Sequence, residues 1–262
     1  LKGALYQEGN LPLFAPSGTI NDINARRPDQ LYFSLRNPTT GMNMSRDAWQ
    51  TNIHVRRGPV NGTFAYTFQK ILSPLDNGAQ DINIGTGVAT GNARFLANER
   101  AQTGRNHILR ASGVYDTPKL PGLPRGIRAF AGGWQLGPLF EWRGGDALNV
   151  TWGFDANFDG LGNDRPDQIG LIETARGNAR LDNYFTLPAN QIFGAPGVPS
   201  TANPYPFGSL GKNRIIGPNS WNMDAALTKI VPIAERFSAQ IRFEAVNILN
   251  HNDLGNPSLN LN

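Results

Sequence analysis

A chain of 262 residues has room for one large domain or two ordinary ones. Charged residues make up only 17%, Gly (30) and Pro (19) are abundant, and cysteine is absent, which excludes a disulfide framework and thiolate metal sites and suits an extracytoplasmic bacterial protein. The formal charge is +4 but the basic residues are scattered, which excludes a nucleic-acid footprint; the pairs Arg26-Arg27 and Arg56-Arg57 read as solvated loop or strand-end charges. No apolar run approaches the ~18 residues of a spanning helix, and the opening LKGALYQEGN lacks the pattern of a signal peptide, so any export signal is expected upstream.

Helical periodicity is hard to find, whereas a period of two recurs along the chain. Trp49, Thr51, Ile53 and Val55 oppose Gln50, Asn52, His54 and Arg56. Phe64, Tyr66 and Phe68 form one face of a strand near 62–70, and a less regular strand covers 107–115. From 134, Trp134, Leu136, Pro138, Phe140 and Trp142 alternate with Gln135, Gly137, Leu139, Glu141 and Arg143, with a bulge expected at Pro138 because proline gives the ladder no N–H. Trp221, Met223, Ala225 and Leu227 oppose Asn222, Asp224, Ala226 and Thr228. In FSAQIRFEA, from 237, Phe237, Ala239, Ile241, Phe243 and Ala245 oppose Ser238, Gln240, Arg242 and Glu244.

The connections are unequal. Only GPVNG separates Arg57 from Thr63 and only PIAER separates Val231 from Phe237, while 71–106 and 144–218 are long and rich in Gly, Asn and Pro. Short turns alternating with long loops are the pattern of a membrane β-barrel, whose apolar strand faces meet lipid and whose polar faces line a wet lumen. Trp49, Trp134, Trp142 and Trp221 lie near strand ends, where an aromatic girdle sits. A soluble β-sandwich alternates in the same way with its apolar face inward, so alternation alone leaves both architectures open.

Four segments resemble the C-terminal part of TonB-dependent outer-membrane receptors, specifically the Oar-like group. They are RNHILRASGVYDTPKLPG at 105–122, GGWQLGPLFEWRGGDALNVT at 132–151, DANFDGLGNDRPD at 155–167, and NSWNMDAALTKIVPIAERFSAQIRFEAVNILNHNDLGNP at 219–257. The resemblance runs from about residue 28 onward and is strongest after 105. It implies an all-β fold: residues 1–262 as the C-terminal segment of an antiparallel transmembrane barrel of about 22 strands. Roughly six or seven strands are present by alternation, and the plug domain and closing strand lie outside the sequence. It also implies a topology. Strand 237–249 runs outward, strand 219–231 inward, 144–218 and 71–106 are extracellular, and GPVNG, 116–131 and PIAER are periplasmic.

The chemistry is thin. Asp155, Asn157 and Asp159 followed by Gly160 begin like a calcium loop, but position twelve is Pro166 where the bidentate Glu is required, so an EF-hand is excluded. A looser structural calcium site, with Asp164 or Asp167 helping, stays open beside a turn-rich loop built by Asp, Asn and Gly. His54, His107 and His251 have no ligand spacing, and no GxSxG, Walker or GxGxxG pattern appears, so no enzyme is expected. Gln135, Glu141, Arg143, Asp224, Arg242 and Glu244 are candidates to line the lumen, either touching plug and ligand or forming a charge lattice across strands. Trp152, Phe154, Phe158, Tyr205 and Phe207 are candidate loop contacts for a substrate.

The resemblance implies a bacterial outer-membrane location and energy-coupled uptake of a bulky ligand. Its partners are membrane lipid, the plug domain of the same protein, the TonB complex through the missing N-terminal region, and an unidentified transported ligand; nucleic acid is not among them. The alternatives are a passive porin-like or adhesion-related barrel, and a soluble carbohydrate-binding sandwich.

Overall fold

The computed structural model describes residues 5–8, 10, 12–13, 15, 18–32, 35–38, 44–73, 82–83, 100–158, 160, 164–175, 183–203, 206, 208–234 and 237–261. Six long strands dominate it: β1 (Ser45–Arg57), β2 (Val60–Ser73), β3 (His107–Asp116), β4 (Trp134–Arg143), β5 (Ser220–Ala234) and β6 (Phe237–Ala245). They are the six segments marked by period-two alternation. Each pairs antiparallel with its neighbours in sequence, giving a meander in the order β6-β5-β4-β3-β2-β1. A short strand, Ala101–Gln102, extends the pairing of β2 at its far end. The shortest long strand has 9 residues and the longest 15; about 9–11 tilted residues cross a bilayer.

Register puts like with like. Ile53, Phe64, Ala111, Phe140 and Met223 form one row across five strands, and Thr51, Tyr66, Leu109, Trp142 and Trp221 form the next. A third runs through Tyr115, Leu136, Leu227 and Phe243. No second layer packs on this face among the described residues. Trp49 is 62% exposed and Phe243 59%. The buried apolar residues Ala147, Val150, Ala175, Ile192, Phe193, Leu210 and Ile215 all lie outside the long strands. A sandwich would cover the apolar face with another sheet; here that face is bare, as it is in a lipid-facing wall.

Two aromatic bands bound the bare face. At one end Trp49, Tyr66, Phe68, His107 and Trp142 form a chain of ring contacts at 5.0–6.2 Å, and Trp221 stacks on His251 at 3.9 Å. At the other end Trp134 meets Phe243 at 6.4 Å. From the Trp142–Trp221 row to the Trp134–Lys229 row is eight residues. At ~3.3 Å per residue and the usual tilt this is about 20 Å, close to the apolar height of an outer-membrane barrel.

The connections sort by end. The link between β1 and β2 is only Gly58-Pro59, with Val60, Asn61 and Gly62 already in the ladder. Gly58 takes φ 54°, the left-handed position that a tight hairpin reserves for glycine. Residues 235–236 join β5 to β6 at the same end and lie outside the described residues, after a register shift between Pro232 and Ala234. The β3–β4 connection, also at this end, carries a helix, α1 (Arg125–Ala131), which periodicity did not reveal.

Three further expectations are corrected. Pro138 makes no bulge: the β3–β4 register is the same on both sides of it, Ser112 facing Leu139 and Tyr115 facing Leu136, and only the intervening pairs are missing. The lost N–H costs only this short gap, and the pairing of β3 with β2 runs on unbroken beside it, Gly113 facing Gly62. The outward strand stops at Ala245 and not at 249, because Asn247 and Asn250 take positive φ. Arg26 and Arg27 are not solvated. Arg27 is 5% exposed and donates to the Asn10 carbonyl, while Arg26 donates to Asp22, Leu13 O and Phe158 O at 2.8, 2.7 and 3.2 Å. They pin the N-terminal segment to the 155–160 loop; Arg56 and Arg57 are exposed as expected.

The long connection 144–218 holds the main apolar core. Val150, Ile192, Phe193, Leu210 and Ile215 pack together with Leu148, Ile172, Tyr184 and Phe185 around them. Short ladders, Ala147–Leu148 with Ile215–Ile216 and Asp167–Gln168 with Phe193–Gly194, brace it. Leu259 and Leu261, from beyond β6, also pack on it, and Thr151 exchanges backbone bonds with both at 3.0 and 2.9 Å.

Three substitutions test this division. Ala225→Arg, midway between the aromatic bands on the bare face, is expected to cost about 2–4 kcal/mol in vesicle-reconstituted protein unfolded with denaturant. Ser112→Arg, on the opposite face at similar height, is expected to cost less than ~1 kcal/mol. Ile192→Ala is expected to cost about 2–5 kcal/mol within the loop body, read as faster protease cleavage inside 144–218 while the strands stay protected.

Candidate functional site

The face opposite the aromatic bands is polar, and register arranges its side chains in two tiers. The upper tier, at the long-loop end, contains Arg110, Glu141 and Asn222 in one row, with Arg143 and Ser220 in the next. Glu141 accepts from Arg110 and from Arg143, each at 2.8 Å. Arg143 stands two residues from Glu141 on the same strand, so both project to the same side. The lower tier places Asp116, Gln135, Thr228 and Arg242 in one row.

The sequence candidates therefore separate. Glu141 and Arg143 come together and line a cavity of about 250 Å³ with Ser220, Trp221, Asn222 and Asp253. Gln135 lies near the short-turn end, away from them. Arg242 pairs with Glu244 at 2.6 Å along β6, the two side chains 56% and 60% exposed, an arrangement worth little to stability in water. Asp224 is occupied structurally: Oδ1 accepts from Asn222 Nδ2 at 2.7 Å and from the Asn247 backbone at 2.8 Å, fixing the chain where it leaves β6. Alternation around Leu109 and Ala111 marks Arg110 as their polar-face neighbour. Asp253 carries no sequence signal, because it reaches the cavity from the irregular segment after β6 by accepting the Trp221 N–H at 3.0 Å.

At the rim above the cavity, Arg105 makes a two-pronged pair with Asp146, both contacts 3.1 Å, and donates to Ser220 Oγ at 2.9 Å. One guanidinium thus ties the start of β3, the end of β4 and the start of β5. Its fork geometry suits this better than an ammonium would.

The 155–167 stretch is a buried polar knot beside the loop core. Asp155 and Asn157 are 8% and 1% exposed, and Asp164 is fully buried. Asp164 accepts from the backbone of Ala156 and Asn157 at 2.7 and 3.1 Å and from Asn157 Nδ2 at 2.9 Å. Asp155 Oδ2 accepts from Gly160 N at 2.7 Å, closing a turn in which Gly160 takes φ 85°. Asp159 lies outside the described residues, and among the described residues no group of three or more His, Asp or Glu is placed to hold an ion. These bonds are turn-building chemistry. Trp152 and Phe154 contact edge-to-face at 5.7 Å beside the knot, while Tyr205 and Phe207 lie outside the described residues.

Burial pushes the Asp164 carboxyl up to about 7, against the two backbone donors that favour its charge, with Asp155 adding repulsion. Its folded value is raised above the ordinary 3.8. The stabilisation is therefore complete below about pH 4 and is lost as pH rises through 7. Unfolding followed by Trp152 fluorescence should show the loop more stable at pH 5 than at pH 8 by about 2 kcal/mol more in the native chain than in Asp164→Asn; an equal pH dependence in both removes Asp164 as the cause.

A bare apolar strand face between two aromatic bands, a polar opposite face, and tight turns at one end with folded loops at the other define a membrane-spanning β-barrel wall. Among the described residues no helix is long and apolar enough to cross a membrane. A family model for an outer membrane beta barrel domain matches residues 4–262, and the chain belongs to that family. Its location is the bacterial outer membrane. No curated protein and no solved structure matches the chain.

Proposed function

We propose that the chain is the C-terminal barrel part of a TonB-dependent receptor of the Oar-like group, and that the whole protein takes up a bulky ligand across the outer membrane. The observation that carries this reading is the folded body formed by 144–218 at the long-loop end of the polar wall. A passive pore needs no such body, whereas ligand capture needs a shaped outer surface held on a rigid scaffold. In this reading the tight turns face the periplasm and the long loops face outward. The upper tier of Arg110, Glu141 and Arg143 meets the ligand or the plug domain of the same protein, and the TonB complex supplies the energy through that plug. Chelated iron, cobalamin and oligosaccharides are the ligand classes to try. Catalysis is not part of the proposal.

The test is uptake by cells producing the intact protein. Ferric chelates, cobalamin and maltodextrins are offered with and without a functional TonB complex. Uptake of at least one class should fall at least tenfold without TonB. Uptake unaffected by TonB makes the barrel a passive pore; no uptake, together with lost cell attachment on deletion, makes it an adhesion protein.

A further inference from the structure

The β3–β4 connection is anomalous at its end of the sheet. The β1–β2 link there is two residues, yet this one runs through 117–133 and carries α1. Its base is tied by Thr117 and Trp134, which exchange bonds at 2.7 and 2.8 Å. Its top is tied to the bare apolar face. Trp134 Nε1 donates to the Phe130 carbonyl at 2.8 Å, and Lys229 Nζ donates to the carbonyls of Phe130 and Gly132 at 3.3 and 2.5 Å. Trp134 and Lys229 are direct partners across β4 and β5, with the ammonium 4.9 Å from the indole ring. The helix therefore ends on the lipid side of the wall. Ile127 and Phe130, on one face of α1, and Leu123 just before it are exposed at 54%, 78% and 42%. An apolar stripe on a short helix at the edge of a lipid-facing wall belongs in the membrane interface.

Beside α1 lies a cavity of about 600 Å³ lined by Lys119, Arg128 and Lys229, with Gly132, Ile230 and Val231 among the rest. Among the described residues no Asp or Glu lines it, and none of the three cations makes an ion pair. Lys229 is only 7% exposed. Its two carbonyl partners use two of the ammonium's three donors, leaving one N–H for an anion. Three cations with no counter-charge among the described residues, at a membrane edge and beside exposed aliphatic side chains, fit a ligand with an anionic head and apolar chains.

We propose that this cavity binds the phosphate headgroup of an anionic phospholipid, with acyl chains against Phe130, Val231 and the wall. The proposal rests on the tight turns facing the periplasm, where the membrane leaflet is phospholipid. It does not depend on TonB or on a transported ligand, so uptake measurements leave it untouched.

The test uses intact protein purified from outer membranes, delipidated in detergent and offered phosphatidylglycerol, phosphatidylcholine or inorganic phosphate, with retained lipid counted by native mass spectrometry. Phosphatidylglycerol should be retained over phosphatidylcholine and resist displacement by inorganic phosphate. Lys119→Ala with Arg128→Ala, both exposed positions, should weaken retention about 30-fold. Arg56→Ala with Arg57→Ala, cations at the same end outside the cavity, should leave it unchanged. Equal retention of the two lipids, equal loss in both double variants, or displacement by inorganic phosphate overturns the proposal. Lys229→Met, which keeps length without charge, should also lose the preference if it folds; a folded Lys229→Met protein with undiminished preference overturns the proposal too.

Discussion

Within lipid a backbone N–H or C=O has no water to turn to, and every other feature of this molecule follows from satisfying those groups between strands. The six strands pair only with their neighbours in sequence, so each ladder is completed by the next stretch of chain. Such pairing leaves both faces free for side chains. One is apolar from end to end between the aromatic bands, the other polar. The gap beside Pro138 shows how narrow the tolerance is. It spans the pairs between Ser112–Leu139 and Tyr115–Leu136 and goes no further, because the register resumes unchanged.

The protein has little apolar core in its largest element and a proper one in its longest loop. In water this would be inverted, since a sheet with one bare face would demand a covering layer. In a membrane the solvent covers the sheet, and the part standing in water must bury its own side chains. Residues 144–218 do so with Ile192, Leu210, Ile215 and Val150, each fully buried aliphatic contributing about 1.5–3 kcal/mol. The polar knot around Asp164 sits against the same body and exchanges side-chain bonds for backbone turns. Arg26 and Arg27 fasten a distant part of the chain to it.

The strands were legible because a period of two survives in the sequence whenever the two sides of a wall face different media. Trp49 to Val55 and Phe237 to Ala245 announce their faces without help from tertiary structure. Face parity likewise identified Glu141 and Arg143, which the fold does bring together. Helix α1 was missed because seven residues give barely two turns, and its apolar stripe of Leu123, Ile127 and Phe130 begins in a loop. The loop core was missed because its members are scattered singly from Val150 to Ile215 among Gly, Pro and Asn, joined by contacts that no local pattern encodes. Arg26 and Arg27 read as solvated because an isolated charged pair usually is; beside the Asp22 carboxylate, they donate to the carbonyls of Leu13, Phe158 and Asn10, and carbonyls leave no trace in a sequence. Asp224 lies on the polar face, where alternation put it, and its fastening role left no trace for the same reason, since its partner is the backbone of Asn247.

The bonds between Thr151 and the pair Leu259 and Leu261 give the outer body an unusual dependency. Residue 151 emerges from β4, but its partners follow β6, so the chain must travel through two more strands before the body it began is fastened. An intermediate in which β5 and β6 have not yet paired would hold an outer loop with an unfastened side. The wall and the surface are thereby coupled: one side of the outer body is held by the segment that follows β6, so the strands behind the surface also position the chain that closes it.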